Sequence, residues 1–476
     1  MQQENTYELV SALFIKLLAL VYFIAFASLS GQIIALIGQD GILPVTNLLE
    51  YATTQFGWKR FLAYPTLFWI NAGDTALTAA TWLGCAFSVL LFINYKTRFT
   101  LVVLYLLYLS LFHASQTFLN FQWDYLLIEA GFLAIFLTPN SRIIIFLYRW
   151  LLFRLRFMSG LSKIVSNDPG WAGLSALTFY FETQPLPHIG AWYAHQLPEW
   201  LLILATAATL AIELAVPFMM FMSRKYRFIA AWITIIMQLL IIITSNHNWF
   251  NILTLILCLF LFDDKAIRKA LPASLCNWLV ERKQLSSISP FLRLPSYVFA
   301  AIILLTSSVQ IWEMASGIRV SGKPGRVLDY IQRWSLANPY HVFPTVNQQR
   351  IELIIEGTAD GRTWLPYSFK YKPGKLNKPL TVVIPHQPRL DWMVWFVPLN
   401  PIFENWFESF LFTLMDNSPS VTALLEHNPF PNTPPVAIRV QAFEYKFTNF
   451  DEHEAYGNWW KRHYLGPFDP LPLVTR

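Results

Sequence analysis

Three basic residues lie at seven-residue spacing in one apolar stretch of the sequence. Arg149, Arg156 and Lys163 would share one face of a helix, because seven residues make about two helical turns. Ionisable side chains at membrane depth are costly, so this basic stripe indicates a polar cavity that holds an anionic or polar group. The alternative is an interfacial helix whose arginines reach out to lipid phosphates.

Three carboxylates are candidate counter-charges for the basic stripe. Asp124 and Glu129 fall on the preceding apolar stretch, and Glu213 falls on a later one. We predict that they line the same polar cavity as the two arginines of the stripe. Lys163 follows a helix break expected at Gly160, which favours a functional role over a merely interfacial one.

The stretch 159–200 is dense in residues that could carry chemistry. Its candidate site residues are Asp168, Trp171, Glu182, Gln184 and His195. Asp168 before Pro169 predicts a helix entry, with the aspartate as cap. Glu182 and His195 could form an acid–base pair if they meet in space, although such a histidine is more often a hydrogen-bonded structural group.

A third candidate set lies late in the chain, in the run P-H-Q-P-R-L-D-W. It combines a potential base, His386, with the guanidinium of Arg389, the carboxylate of Asp391 and the ring of Trp392. In an extended segment Arg389 and Asp391 would project to the same side. The pattern therefore predicts an ion pair that pins a loop.

Several kinds of site have no support in the sequence. The nine histidines show no metal-binding spacing, and the three cysteines include no C-x-x-C pair. Nucleophile elbows, Walker loops and dinucleotide fingerprints are missing too. We therefore expect neither a metal nor a cofactor, and no nucleotide-driven work.

The composition defines the elements that must position these residues. The chain has 476 residues, of which 55% are hydrophobic and 13% charged, with a mean hydropathy of +0.41. A soluble globular chain carries about 25% charged residues. A soluble enzyme, a disordered chain and a coiled coil are therefore excluded, and the lipid bilayer is an expected partner. No block of basic residues is interleaved with aromatic residues as in a nucleic-acid-binding surface, so nucleic acid is not an expected partner.

Nine apolar stretches are candidate membrane spans, although some are short for a bilayer core. They are Leu9–Ile37, Thr75–Ile93, Phe99–Leu119, Tyr125–Leu137, Ile143–Met158, Leu201–Met222, Phe228–Thr244, Phe250–Phe262 and Ser296–Met314. The first is too long for a cleavable signal peptide.

Basic clusters predict the orientation of these spans. Positive residues in 96–98, 224–227 and 265–283 mark cytoplasmic loops. We expect a cytoplasmic N-terminus, with 38–74, 159–200 and everything after about residue 315 on the external or lumenal side.

The character of the chain changes near residue 317. Residues 1–317 are predicted to be a multi-span helical membrane domain, and residues 318–476 a β-rich, sandwich-like extramembrane domain. A hairpin is expected over 350–372, strands over Leu380–Ile384 and Val436–Phe447, and an amphipathic helix over Phe403–Leu414. The fold class is a polytopic α-helical membrane protein with a C-terminal β-rich domain.

Motifs spread along the chain resemble the lipase maturation factor family. They are the runs Gln122–Asp124, Arg149–Arg154, Ser159–Lys163, Tyr180–Pro187, Trp192–Leu197, Phe369–Gly374, His386–Trp392 and Asn428–Phe430. The resemblance runs in order from about residue 10 to about residue 465. It implies a multi-pass membrane protein that assists folding of exported proteins, such as secreted lipases.

The same resemblance implies partners and location. Residues 318–476 would bind the client protein, and 159–200 would be a second external face. Trp392, Trp395 and Phe396 are candidates for an exposed patch that contacts the client. We expect at least two of these three side chains to lie in the domain core instead. Animal members lie in the endoplasmic reticulum membrane. The absence of any N-x-[ST] sequon and a length short for an animal member favour a bacterial plasma membrane here.

The membrane part is also distantly similar to that of vitamin K-dependent gamma-carboxylases. Gly160, Lys163, Asp168 and Trp171 fall on the segment that carries the catalytic lysine in that family. This similarity implies an alternative function, a membrane-embedded enzyme that uses Lys163 as base on a lipid or quinone-like substrate. The rest of the carboxylase pattern is not evident, so the maturation factor is preferred.

Overall fold

A computed structural model of the protein describes residues 6–139, 141–281, 290–469, 471 and 473–475. Residues up to 316 form helices: α1 (Glu8–Ser30), α2 (Ile33–Ile37), α3 (Val45–Phe56), α4 (Arg60–Ala63), α5 (Asp74–Phe92), α6 (Thr97–Ala114), α7 (Gln122–Phe136), α8 (Arg142–Val165), α9 (Pro169–Ala172), α10 (Ala176–Thr183), α11 (Ile189–His195), α12 (Glu199–Leu214), α13 (Val216–Met219), α14 (Arg224–Thr244), α15 (Phe250–Leu257), α16 (Asp264–Ala270), α17 (Ala273–Glu281) and α18 (Pro290–Ser316). Short 3-10 turns connect some of them: Gly57–Lys59, Leu67–Trp69, Gln116–Phe118 and Cys258–Leu261.

Within the described residues, five helices are long and apolar enough to cross a membrane. They are Glu8–Ser30, Asp74–Phe92, Thr97–Ala114, Arg224–Thr244 and Arg293–Ser316. The bent pair α11 and α12 would be a sixth if it forms one broken span. The other predicted spans correspond to helices that are short, such as the 15-residue α7, or rich in charge, such as α8 with its five basic residues. The protein is an integral membrane protein, with fewer long apolar helices than the nine stretches predicted.

The two ends of α1 define the two ends of the membrane body. At its start, the carboxylate of Asp264 accepts hydrogen bonds from the backbone N–H groups of Glu8 and Val10, both at 2.9 Å. At its end, Ser28 Oγ lies 2.8 Å from His386 Nδ1. The membrane body therefore contacts the C-terminal region at the end opposite to its own N-terminus.

The C-terminal region is β-rich with covering helices. It contains α19 (Gly322–Arg333), β1 (Arg350–Thr358), β2 (Leu365–Pro366), β3 (Ser368–Phe369), α20 (Arg389–Val394), α21 (Glu404–Met415), α22 (Pro419–Thr422), β4 (Leu425–His427), β5 (Ala437–Phe447), α23 (Phe450–Tyr456), β6 (Trp460–Pro467) and β7 (Leu473–Thr475), with 3-10 turns Val397–Leu399 and Pro401–Phe403. Five strands form an antiparallel sheet in the order β2-β1-β5-β6, with β7 also on β5, and β3 pairs with β4. Helix α21 packs against β5.

The structure confirms β1, β5 and the amphipathic helix, and shortens the predicted hairpin. The second arm of the hairpin pairs with β1 only at two positions, and β5 is the full-length neighbour of β1. The predicted strand Leu380–Ile384 is wrong. The N–H of Val383 donates to Asn246 Oδ1 at 2.8 Å, and the carbonyl of Leu380 accepts from the N–H of Ile189. These backbone groups therefore form hydrogen bonds with the membrane body instead of with a neighbouring strand.

Candidate functional site

The far end of the basic stripe forms a buried ion-pair triad. Lys163 Nζ lies 2.8 Å from Glu213 Oε2, and Arg156 Nη2 lies 3.1 Å from Glu213 Oε1. Lys163 also donates to the carbonyl of Val342 at 2.7 Å. All three charged side chains are buried. The structure thus brings Arg156, Lys163 and Glu213 together, as the stripe and its predicted counter-charge require.

The triad lies at the wall of a cavity of about 440 Å³. The cavity is lined by residues of α8 to α12, α14 and α15 together with residues 342–343. Its walls are mostly apolar or aromatic, including Trp171, Tyr180 and Phe343. A mostly apolar cavity with a few convergent polar groups is typical of a ligand site.

Arg149 lies outside this cavity, contrary to the prediction. Its Nε donates to the carbonyl of Phe260 at 2.9 Å, and its guanidinium also contacts the hydroxyl of Tyr7. Fourteen residues separate Arg149 from Lys163, which is about 21 Å along a helix axis. A shared helical face therefore does not make a shared site, and Arg149 belongs to the N-terminal end of the body.

Asp124 pairs with the C-terminal region instead of the basic stripe. Arg389 donates through Nη1 to Asp124 Oδ2 at 2.7 Å and through Nη2 to Oδ1 at 2.8 Å. The hydroxyl of Tyr108 donates to the same carboxylate at 2.6 Å. Both ion-pair partners are fully buried, so this bidentate bridge joins the membrane body to the run 385–392.

Glu129 also has a different partner from the one predicted. It pairs with Arg154, which lies off the stripe, and both side chains are fully buried. Its second oxygen accepts from the hydroxyl of Tyr340 at 2.9 Å and from the amide of Asn338 at 3.3 Å. This second bridge ties α7 and α8 to the segment that leads into the C-terminal region.

Residues 159–165 continue α8, so the helix break expected at Gly160 is wrong, and the rest of the stretch 159–200 forms α9, α10, α11 and the start of α12. Asp168 caps α9 by accepting from the N–H of Trp171 at 3.1 Å, as the Asp-Pro pair predicts. Trp171 lies under the ammonium of Lys163, 5.0 Å from the ring centre. Glu182 and His195 do meet, with 3.7 Å between Oε2 and Nε2, but the same carboxylate oxygen accepts from the backbone of Phe447.

Arg350 is a residue that sequence reasoning missed. Its guanidinium donates to the carbonyls of Glu182 and Pro185 at 3.0 Å each and also to that of Gln184. Gln184 itself is buried and donates to the carbonyl of Thr244 at 3.0 Å. A charged residue at the start of an apolar strand was the available signal, but nothing local indicates that it binds a loop 165 residues earlier.

The run 385–392 binds the membrane body. The N–H of Gln387 donates to Ser28 Oγ at 2.9 Å, and Asn248 donates to Gln387 Oε1 at 2.8 Å. Asp391 does not pair with Arg389 as predicted; its carboxylate accepts from the backbone N–H of Tyr371 at 2.7 Å and of its neighbour at 3.0 Å. The two side chains part because residues 389–394 form a helix instead of an extended segment.

The ring of Trp392 completes this interface. It is buried and meets the ring of Trp123 edge-on, with 5.2 Å between the ring centres. Trp395 and Phe396 are half-buried; the indole of Trp395 donates to the carbonyl of Thr183 at 2.9 Å, and Phe396 contacts Phe121. These aromatic side chains face the membrane body.

We expect the stability of the assembled protein to fall as pH drops from about 6.5 to about 4. Burial lowers the pKa of His386 from 6.5 to about 4, and the positive charges of Arg389 and Lys370 add to the effect. The unfolded chain therefore takes up the proton first, so this contribution is complete above the unfolded pKa and is lost through the window between the two values. Thermal unfolding of the purified protein at a series of pH values measures it. His386→Asn, which does not titrate, should flatten the slope, and an unchanged slope would contradict the assignment.

A second concave surface lies on the C-terminal region. It is a groove of about 910 Å³ between β1, the segment 372–379 and the β5–β6 edge. Its floor is mostly apolar, with Leu353, Tyr367 and Phe443 beside the buried Lys372, and its rim carries charges of both signs. The residues 385–392 do not line it, so it is separate from the interface with the membrane body.

These features define a class: a polytopic membrane protein whose β-rich extramembrane region is joined to the membrane body by buried ion pairs. Residues 9–269 match the lipase maturation factor transmembrane domain, and residues 336–470 match the lipase maturation factor C-terminal domain. The chain is 32% identical to lipase maturation factor 2 of Xenopus laevis, across 95% of this chain and 81% of that protein. It is 30% identical to human lipase maturation factor 1, across 98% and 89%. The chain belongs to the lipase maturation factor family.

No solved structure matches the chain. The relatives named above are maturation factors, which favours that class of function over the carboxylase-like enzyme.

Proposed function

We propose that this protein is a membrane-anchored maturation factor that assists folding of an exported client, of lipase type, through its C-terminal region. The observation that carries the proposal is the open groove on that region, which stays accessible although the neighbouring surface is joined to the membrane body. Family membership supports the choice of client.

The client-binding region is proposed to face the external or lumenal side. The N-terminal end of the membrane body carries basic residues: Arg224 donates to Asp263 at 2.6 Å, and Arg149 contacts Tyr7. The C-terminal region contacts the opposite end, near Ser28. Because positive loops stay cytoplasmic, this arrangement supports a cytoplasmic N-terminus. Arg282 and Lys283, which contributed to the sequence prediction, lie outside the described residues.

We propose a functional division between residues 317 and 318, and a location in a bacterial plasma membrane, or in the endoplasmic reticulum membrane if the source is eukaryotic. The lack of any N-x-[ST] sequon supports the bacterial plasma membrane over the endoplasmic reticulum.

The functional division does not make the two regions separable. Deleting residues 318–476 would leave Asp124 and Glu129 without their partners Arg389, Tyr340 and Asn338. Tests of function therefore need the full chain.

The groove offers chemistry suited to a partly folded chain. Apolar side chains form its floor, and Lys375, Arg462 and Glu426 on its rim are exposed. An apolar floor with a charged rim resembles the centre and edge of a protein–protein interface. A peptide segment of the client could bury apolar side chains there while its polar groups stay hydrated.

Filling the groove should lower client maturation. Asn377 is exposed at the groove, so Asn377→Trp adds bulk without disturbing the core. We expect the yield of active, secreted lipase from cells that co-express the full-length variant to fall at least fivefold, at equal amounts of membrane-inserted variant. The assay compares secreted lipase activity and secreted lipase protein.

The matched control is Tyr456→Trp. Tyr456 is 76% exposed on α23 and does not line the groove. This variant should support full lipase yield. Equal yields from the wild type and both variants would contradict the assignment of the groove to client binding.

A further inference from the structure

The cavity beside the ion-pair triad has an excess of positive charge. Among the residues that line it, Arg156 and Lys163 are cations and Glu213 is the one carboxylate. One positive charge is therefore left uncompensated within the lining. An uncompensated buried charge is costly, and an anion in the cavity would neutralise it.

The cavity also presents buried donors that have no acceptor. Arg156 Nε, Gln238 Nε2 and Asn251 Nδ2 are buried without a hydrogen-bond partner, and all three residues line the cavity. The exposed fractions of these residues are 6%, 1% and 2%. Glu213 Oε2 is a buried acceptor at the same cavity that also makes no hydrogen bond, but it lies 2.8 Å from Lys163 Nζ in an ion pair. Buried donors are normally satisfied, and three donors beside this already paired carboxylate indicate a missing acceptor.

The rest of the wall suits a hydrocarbon chain. Leu201, Ala205 and Ile212 on α12 line the cavity together with Ile233 and Met237 on α14. The volume of about 440 Å³ is within the usual range of small-molecule sites. A mostly apolar wall that also carries Arg156, Gln238 and Asn251 fits a molecule with one polar end.

The cavity opens towards the bilayer. Leu197, Ile236 and Leu240 line it and are also exposed, by 43%, 55% and 56%. Ile236 and Leu240 lie on α14, one of the helices long and apolar enough to cross a membrane. A hydrocarbon chain could therefore enter sideways from the lipid without crossing water.

We propose that this cavity binds an anionic amphiphile with an acyl chain. The acidic head would lie at Arg156, Gln238 and Asn251, and the chain would follow the α12–α14 wall. Lys163 is already held by Glu213 and the carbonyl of Val342, so it contributes charge to the site but is not its free donor. The head could be the carboxylate of a free fatty acid or the phosphate of an anionic phospholipid. This inference does not depend on the identity of the client.

Equilibrium binding to the purified full-length protein in neutral detergent tests the proposal. The probes are radiolabelled oleate and oleyl alcohol, which share a chain but differ in head charge. We expect oleate to bind saturably and at least tenfold more tightly. Arg156→Met should remove most of this preference without disturbing the Lys163–Glu213 pair, and Ala208→Trp, on the cavity wall, should weaken both probes.

Arg149→Met is the matched control, because Arg149 lies on the same face of α8 but does not line the cavity. It should bind oleate like the wild type. The double variant Gln238→Leu with Asn251→Leu changes no charge and should weaken oleate binding several-fold, which keeps the test valid if Arg156→Met misfolds. If phosphatidylglycerol competes with oleate at a similar concentration, the natural ligand has a phospholipid head. If phosphatidylglycerol does not compete, the natural ligand is a free fatty acid. Equal binding of both probes, no saturable binding, or wild-type affinity in Arg156→Met would overturn the proposal.

Discussion

Arg389→Ala is expected to lower the free energy of unfolding by about 3–5 kcal/mol, because it leaves a buried carboxylate without its counter-charge. Asp124 is fully buried and receives two guanidinium hydrogen bonds from Arg389. After the substitution only the hydroxyl of Tyr108 remains as a side-chain donor to it among the described contacts. The C-terminal region should then detach more readily from the membrane body. Thermal unfolding in detergent and the rate of limited proteolysis between residues 317 and 350 measure the two effects.

Two further variants separate this bridge from a general loss of charge. Arg439 pairs with Glu356 at 2.7 Å on the surface of the same region, with 35% of its side chain exposed. Arg439→Ala should cost only about 0–1 kcal/mol. The double variant Asp124→Leu with Arg389→Met should recover much of the stability that Arg389→Ala loses, because neither charge is left unpaired. Equal melting temperatures for Arg389→Ala and Arg439→Ala would contradict the proposed contribution of the Asp124–Arg389 ion pair to stability.

Sequence reasoning found the charged residues of the membrane body but assigned only some of their partners. Helical periodicity correctly placed Arg156 and Lys163 on one face, and Glu213 was among the predicted counter-charges. Asp124 and Arg389 are 265 residues apart, and their pairing depends on how two regions meet. Periodicity reports which face a side chain occupies and contains no information on such distant neighbours.

The C-terminal region shows the same division between local and distant information. Strand β5 and helix α21 were predictable because alternation and amphipathicity are properties of a short window. The segment 380–384 has the composition of a strand, yet its backbone bonds to Asn246 and Ile189. Apolar β-branched residues at an interface with a membrane body look the same in sequence as residues in a sheet. The charges of the run 385–392 indicate an ion pair in the sequence, but its contacts with Ser28 and Asn248 depend on how the two regions pack together.

Glu129→Ala should be comparably damaging, since it leaves the guanidinium of Arg154 buried without a carboxylate. Glu129 pairs with Arg154 through one oxygen and accepts from Tyr340 and Asn338 through the other. The expected loss is about 3–5 kcal/mol, which is a large share of the stability of a typical protein. Membrane-inserted yield and thermal unfolding are the measurements.

The carboxylate of Glu129 both carries a charge and accepts hydrogen bonds, and two variants separate these roles. Glu129→Gln keeps an acceptor for Tyr340 and Asn338 but removes the charge, so it isolates the electrostatic part of the loss. The double variant Glu129→Leu with Arg154→Leu removes both charges and should be more stable than Glu129→Ala. If Glu129→Gln is as stable as the wild type, the hydrogen bonds to residues 338–340 hold the bridge and the ion pair contributes little. If the double variant is less stable than both Glu129→Ala and Glu129→Gln, the buried charges of Glu129 and Arg154 are net stabilising. Buried ion pairs would then hold the two regions of this protein together.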